Sequence, residues 1–192
     1  MSYEPKGYQR KYLRAPYKKE ILFQDEDFIF KGSALNISEG GMLLESLGHF
    51  PEHNQPIDFM ICIPQFPFFK NFDLESLYRY NFEILESRVI RFSAKIVRKI
   101  DIKNKVDGLF SSQIGLMIED ISPFDQAKIS NYVDTFSSNL IYLQVLIDTI
   151  NDDKKNISKI RLLSGYLGLD PHEKIALLRK TVEHDYKSLQ WL

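Results

Sequence analysis

The order of apolar and polar residues divides the chain into a strand-forming part and a helix-forming part. Up to about residue 118, short apolar runs alternate with turn residues, which is typical of antiparallel β-structure. The expected strands are Ile21–Phe23, Phe28–Leu35, Met42–Glu45, Gln55–Ile63, 88–102 and Leu109–Ile118. Six short strands predict a barrel or a sandwich, and the pattern alone leaves both open. Gly32, inside the second run, predicts a bulge or bend there.

After residue 121 the spacing of apolar residues becomes that of helices. Ser122 followed by Pro123 predicts a helix start, and the helix is expected to run to about residue 151. Its apolar residues recur at steps of four and three: Ile129, Val133, Phe136, Leu140, Leu143, Ile147 and Ile150. This heptad-like seam over 129–150 predicts packing either on helices of the same chain or on a second chain in a homodimer.

Two further helices are expected beyond this one. The first covers about 157–166 and is stopped by Gly165 or Gly168. The second begins at Asp170-Pro171, with Asp170 as N-cap and Glu173 reaching back to it. The chain is thus mainly β with an α tail, and the expected organisation is a flexible arm over 1–17, a β-domain over 18–122 and a helical extension over 123–192.

Composition narrows the class of protein and of partner. The 192 residues are 44% hydrophobic and 27% charged, with a net charge of −1. This is the composition of an ordinary globular protein, and it makes DNA a poor candidate partner because such binding neutralises many phosphates. The single cysteine, Cys62, excludes a disulfide within the monomer, favours a reducing cytoplasm, and is expected to be buried in its apolar run.

Targeting, membrane and metal signals are weak. The polar, charged N-terminus does not have the pattern of a signal peptide, and no apolar run is long enough to span a bilayer. His49 and His53 are four residues apart, but Pro51 between them disfavours a shared helix face, so no metal site is predicted. No catalytic constellation is present either, and we do not expect an enzyme.

Two motifs near the start carry the candidate chemistry. Arg10 and Arg14 place two guanidinium groups four residues apart, ahead of the first strand. A guanidinium fits phosphate oxygens bidentately and also fits the O6/N7 edge of guanine. The segment from Asn36 to Gly41, NISEGG, supplies an amide, a hydroxyl and two glycines that can take positive φ in a turn. Together they indicate a small ligand that is anionic and carries guanine.

The ordered pair RxxxR and (D/N)xSxxG resembles the PilZ family of bacterial cyclic di-GMP receptors. The match consists of Arg10, Arg14, Asn36, Ser38 and Gly41, and further similarity runs through residues 114–118 and 122–125. The resemblance covers about residues 8–138. It implies a six-stranded antiparallel PilZ-like β-barrel followed by the helical extension.

The resemblance also implies roles for the motif residues. Arg10 and Arg14 would grip phosphate and a guanine edge, Asn36 and Ser38 would hydrogen-bond the nucleotide, and Gly40 and Gly41 would turn the chain. Gln9, beside the first arginine, favours one bound dinucleotide over a stacked pair. The function implied is that of a receptor that passes the level of the messenger to a protein controlling motility, adhesion, secretion or matrix production.

Two alternatives remain. The first is a ligand-independent adaptor that works through its helical tail or through the aromatic segment 64–82, PQFPFFKNFDLESLYRYNF. If exposed, the rings of this segment would form a partner surface, although packing over a barrel end is favoured. The second is a nucleic-acid-binding regulator, because 162–169 is faintly similar to the turn of a helix-turn-helix, but few basic residues follow it.

Overall fold

The computed structural model describes residues 11–45, 55–80, 87–103, 110–150 and 154–190. Arg10 and Gln9 of the expected ligand site, together with His49, His53 and Phe82, lie outside these ranges. Within them the chain forms two compact units. A barrel unit contains residues 15–45, 55–67, 87–103 and 110–136, and a helical unit contains residues 11–14, 68–80, 137–150 and 154–190.

The barrel unit is built from antiparallel strands, all in one sheet. They are β1 (Ala15–Pro16), β2 (Glu20–Asp25), β3 (Phe28–Ser38), β4 (Gly41–Glu45), β5 (Ile57–Pro64), β6 (Ser87–Lys103) and β7 (Phe110–Ile121). The sheet order is β1-β3-β2-β5-β6-β7-β4, and an additional pairing of β3 with β4 closes it. The six strands β2 to β7 therefore form a closed barrel, which confirms the expected fold and excludes the sandwich.

Strand β3 changes partner along its length. Its first part pairs with β2, whereas Asn36 and Ile37 pair with Pro16 and Ala15 of the short strand β1, which the pattern did not predict. The register against β4 shifts between Ala34 and Asn36, so the irregularity lies at Leu35 and not at the expected Gly32. A bulge bends and twists a strand, and this one lies between the part of β3 that pairs with β2 and the part that pairs with β1.

The barrel interior follows the period of two along each strand. Ile57, Phe59, Ile61 and Ile63 of β5 are all buried, and Phe59 stacks on Phe92 with ring centroids 5.5 Å apart. Cys62 is exposed, so the expectation that it is buried is wrong. The reason is geometric, because successive side chains of a strand point to opposite faces and the odd-numbered residues occupy the interior.

Four α-helices are described: α1 (Leu74–Arg79), α2 (Pro123–Asp148), α3 (Lys154–Tyr166) and α4 (Ile175–Gln190). The start of α2 is as expected, since the Ser122 hydroxyl accepts from the Asp125 amide at 3.1 Å and Pro123 is the first helical residue. After α3, Gly168 has a φ of 77°, and the Leu169 amide donates to the carbonyl of Ser164. This is a Schellman C-cap.

The expected start of the last helix at Asp170-Pro171 is wrong, because α4 begins at Ile175. The Asp170 carboxylate accepts from the amide of His172 at 2.8 Å, and the Glu173 amide donates to the Asp170 carbonyl. These local bonds form a turn. A side chain that bonds its own neighbouring backbone competes with helix formation. Here the turn at Asp170 shifts the start of the helix from Pro171 to Ile175.

The heptad-like seam of α2 is buried within the single chain. Six of its members are 0–4% exposed: Ile129, Val133, Phe136, Leu140, Leu143 and Ile147. The chain itself therefore already removes the apolar atoms of these six residues from water, as packing on elements of the same chain predicts. No helix among the described residues is long and apolar enough to cross a membrane.

The aromatic segment divides between the two units. In the barrel unit, Phe66 lies 5.9 Å from Tyr132 and 6.0 Å from Phe136, measured between ring centroids. In the helical unit, Phe69 stacks on Tyr166 of α3, with ring centroids 5.4 Å apart. Some rings remain exposed, and Tyr78 is 61% accessible.

Candidate functional site

The NISEGG segment forms the end of β3, a tight turn and the start of β4. Ser38 pairs with Gly41 across the turn, and Asn36 pairs with Leu43 two residues further back. The carbonyl of Gly40 accepts from the Ile118 amide of β7 at 3.1 Å. The motif is therefore held by three strands, and its amide, hydroxyl and glycines come together at one point on the barrel.

Ser38 stabilises the turn itself. Its side chain is buried, and its hydroxyl donates to the carbonyl of Gly41 at 3.1 Å. A hydroxyl that donates once keeps acceptor capacity on its oxygen. Ser38 thus shapes the turn, and its oxygen retains acceptor capacity.

Gly41 is required by close packing and not by backbone conformation. A Cβ built on Gly41 would lie 2.1 Å from the carbonyl oxygen of Leu116 on β7. Among the described residues the glycine with a positive φ is Gly168, so the expected left-handed conformation at Gly40 or Gly41 is not observed. The sequence pattern located these glycines correctly but assigned the wrong reason to Gly41.

Asn36 lies on the outer face of the barrel, because its neighbour Ile37 is fully buried and side chains alternate along the strand. Asn36 pairs with Pro16, and Ile37 pairs with Ala15. Arg14 immediately precedes Ala15 in the chain and is half-buried. Strand β1 therefore runs beside the NISEGG segment directly after the second arginine of RxxxR.

Helix α2 contacts both parts of this arrangement through residues that the sequence did not single out. The Ser130 hydroxyl donates to the carboxylate of Glu39 within the turn at 2.8 Å, and the Tyr132 hydroxyl donates to the Pro16 carbonyl of β1 at 2.7 Å. Glu39 occupies a variable position of the motif, and Ser130 and Tyr132 lie within a helix whose apolar stripe dominated the pattern. No local sequence pattern relates Ser130 to Glu39 or Tyr132 to Pro16.

The tyrosine contact beneath β1 is buried. The rings of Tyr17 and Tyr132 meet edge to face at 6.0 Å, and the Tyr17 hydroxyl donates to the Cys62 carbonyl at 2.9 Å. Burial raises the pKa of Tyr17 to about 12, and it also raises the pKa of Tyr132 above its ordinary value. Both groups are neutral at physiological pH and act as hydrogen-bond donors, Tyr132 to β1 and Tyr17 to β5.

A hollow of about 500 Å³ lies elsewhere on the barrel and is lined by residues of β2, β5, β6 and the end of β7. Residues Leu22, Met60 and Arg91 line it, and none of the motif residues does. Among the described residues, no group of three or more histidine, cysteine or acidic side chains is arranged to hold a metal ion.

Comparison with known proteins gives a family match and several similar folds. The model of the PilZ domain matches residues 8–135, more than half of the chain. No curated protein matches. Inhibitor of motility (MotI/DgrA) from Bacillus subtilis is 16% identical, with 66% of this chain and 50% of that chain covered and a TM-score of 0.48. This chain thus spans about half the length of that protein.

Two further solved structures have a similar fold. The PilZ domain of YcgR from Escherichia coli, solved with c-di-GMP, is 13% identical; 73% of this chain and 98% of that chain are covered, with a TM-score of 0.44. The MrkH–c-di-GMP complex of K. pneumonia is 14% identical; 76% of this chain and 56% of that chain are covered, with a TM-score of 0.40. The family model match spans all strands of the closed barrel and the first part of α2. The chain belongs to the PilZ domain family.

Proposed function

We propose that this protein is a cyclic di-GMP receptor that passes the level of the messenger to a protein partner. Membership of the PilZ family supports the ligand class. The observation that carries the proposal is the pairing of Ala15–Pro16 with Asn36–Ile37, because it runs the chain that follows RxxxR alongside the NxSxxG segment. Cytoplasmic location and control of motility, adhesion, secretion or matrix production belong to the same proposal.

Each motif residue has a role in this proposal. The Arg10 and Arg14 guanidiniums pair with phosphate and with the O6/N7 edge of guanine, and each good bidentate base contact supplies about 1–3 kcal/mol of discrimination. Asn36 offers an amide from the outer barrel face, and Ser38 offers its remaining acceptor capacity. Gly41 keeps the turn close to β7. Such a set supports a dissociation constant of about 1 μM, near −8 kcal/mol.

Helix α2 is the proposed route of output. It holds Glu39 in the motif turn through Ser130 and holds β1 through Tyr132. A change in either element on ligand binding alters a hydrogen bond to α2, and the helix continues without a break to Asp148. Ligand binding shifts such an element only as far as its affinity differs between two states. The protein partner is proposed to contact the helical tail or the segment 64–82.

Isothermal titration of cyclic di-GMP into the full chain tests the receptor proposal. The wild type is expected to bind saturably near 1 μM, and Arg14→Ala to weaken binding by at least tenfold through the loss of a charge-assisted pair. Lys19→Ala is the matched control, since it removes an exposed cation of the same basic segment and leaves both motifs intact. Absence of binding by folded wild type at tens of micromolar would refute the proposal.

A ligand-independent adaptor is the second candidate, and exposed rings in each unit favour it. Phe124 at the start of α2 is 72% accessible, and Tyr78 on α1 is also exposed. Aromatic side chains are enriched at protein–protein interfaces, so each of these exposed rings is a candidate contact point for a partner. Capture of a partner that persists in Arg14→Ala and is lost in Phe124→Ala or Tyr78→Ala would favour the adaptor over the receptor.

A further inference from the structure

A row of residues crosses the outer face of the barrel from Asn36 to a third arginine. Asn36 pairs with Leu43, Leu43 with Gly115, and Gly115 with Arg98. Asn36, Leu43 and Gly115 lie on the outer face, because Ile37, Met42, Leu44, Ile114 and Leu116, their neighbours along the strands, point into the core. The Arg98 side chain lies over Gly115 and therefore on the same face. Since adjacent strands lie about 4.8 Å apart, the row places the Arg98 α-carbon about 14 Å from that of Asn36.

Gly115 allows the Arg98 side chain to lie across this row. The Cγ and Nε atoms of Arg98 are 2.6 and 2.7 Å from the point that a Cβ on residue 115 would occupy. Any other residue at 115 would therefore displace the arginine. The guanidinium lies over β7, one strand nearer to Asn36 than its own backbone on β6.

The Arg98 guanidinium is available for an anion. Among the described residues it has no ion pair and no hydrogen bond, whereas Lys95, three residues earlier on β6, pairs with Glu119 at 3.8 Å. Arg98 is also exposed to solvent. A guanidinium is weakly hydrated and presents a planar fork of donors, so an arginine held in place on a glycine is well suited to a phosphate.

We propose that Arg98 is a further ligand-binding residue, which Gly115 positions to donate to a phosphate of the bound cyclic dinucleotide. The inference rests on the proposed cyclic di-GMP binding and extends the site from the NxSxxG turn across β4 and β7 to β6. A cyclic dinucleotide has two phosphates and two bases. Arg98, at the β6 end of the row, would therefore add a cation to the two arginines of the RxxxR segment.

The test is titration of cyclic di-GMP into full-chain Arg98→Ala, with Arg91→Ala as the matched control. Arg91 is an exposed arginine of the same strand, but it pairs with Met60 and lies about 23 Å along β6 from Arg98. Arg98→Ala is expected to weaken binding about 10- to 100-fold, the range of a lost charge-assisted bond, and Arg91→Ala to leave it within twofold. An Arg98→Ala affinity within twofold of wild type would overturn the inference.

Gly115→Ala separates positioning from direct contact. The single variant is expected to lose affinity because its methyl group displaces Arg98, and the double variant Arg98→Ala/Gly115→Ala is expected to bind as Arg98→Ala does. Independent losses that multiply in the double variant would contradict a positioning role for Gly115. Circular dichroism confirms folding of each variant. If the wild type itself fails to bind, the receptor proposal falls, whereas binding that is unaffected by Arg98→Ala removes only this inference.

Discussion

Replacement of Gly41 by alanine tests the steric account of the motif turn. The added Cβ would lie 2.1 Å from the Leu116 carbonyl oxygen, whereas a carbon and a carbonyl oxygen in weak contact are about 3.3 Å apart. The two strands must therefore separate locally by about 1.2 Å. Both atoms that collide are close to the backbone, so no rotation of a flexible side chain relieves the overlap.

The loss of stability in Gly41→Ala has two sources, the overlap itself and the hydrogen bond beside it. Overpacking of a well-packed site costs about 1–3 kcal/mol. The bond from the Ile118 amide to the Gly40 carbonyl, 3.1 Å long, lies next to the collision, and its weakening adds about 0.5–1.5 kcal/mol. We expect Gly41→Ala to lower the free energy of unfolding by about 2–4 kcal/mol, measured by urea denaturation followed by circular dichroism.

Gly165→Ala is the matched control because it is the same chemical change in a permissive place. Gly165 is exposed in α3, and its added Cβ would lie 3.8 Å from Pro171, an ordinary contact. Alanine is a better helix former than glycine, so this variant is expected to gain about 0.5–1 kcal/mol. A Gly41→Ala protein as stable as the wild type would refute the steric reasoning for the motif.

Three further predictions concern the barrel unit. The free energy of unfolding is expected to fall as the pH rises from about 10 through 12, because an unfolded tyrosine loses its proton at a lower pH than folded Tyr17, whose pKa is about 12. Urea unfolding at stepped pH should show a smaller fall in Tyr17→Phe than in the wild type. An equal fall in the two proteins would contradict the assignment to Tyr17. Cys62 is expected to react with a thiol reagent in the native protein at a rate near that in denaturant, and strong native protection would contradict its exposed position. Ser122→Ala removes the cap of α2 and is expected to cost about 1 kcal/mol in the same urea assay, whereas Ser122→Asp should retain most of the stability.

The parts of the fold that sequence predicted correctly depend on local spacing. The alternation of apolar residues predicts the strands of the barrel, and the capping pair Ser122-Pro123 predicts the start of α2. Local spacing does not predict the closure of the barrel, because closure requires β4 to pair with both β3 and β7. The partner of Leu43 on β7 is Gly115, which is far along the chain. Barrel and sandwich share the same local pattern.

The errors have the same origin. Cys62 stands in a continuous apolar run, in which hydrophobicity alone does not identify the inner face. Asp170 has the composition of an N-cap, but its carboxylate bonds the amide of His172 and forms a turn instead. Gly41 and Gly115 are explained by atoms of distant residues, namely the Leu116 carbonyl and the Arg98 side chain. Motif spacing therefore located the candidate turn, but only tertiary packing gives the reason for its glycines.

The most direct test of the receptor account is to map backbone amide chemical shifts of the full chain as cyclic di-GMP is added. The account predicts that the largest changes cluster in Asn36–Gly41 and extend along the row to Gly115, with little change around Met60 of β5, which lines the hollow. Changes centred on that hollow, or no saturable change with folded protein, would contradict a cyclic di-GMP site at the NxSxxG turn.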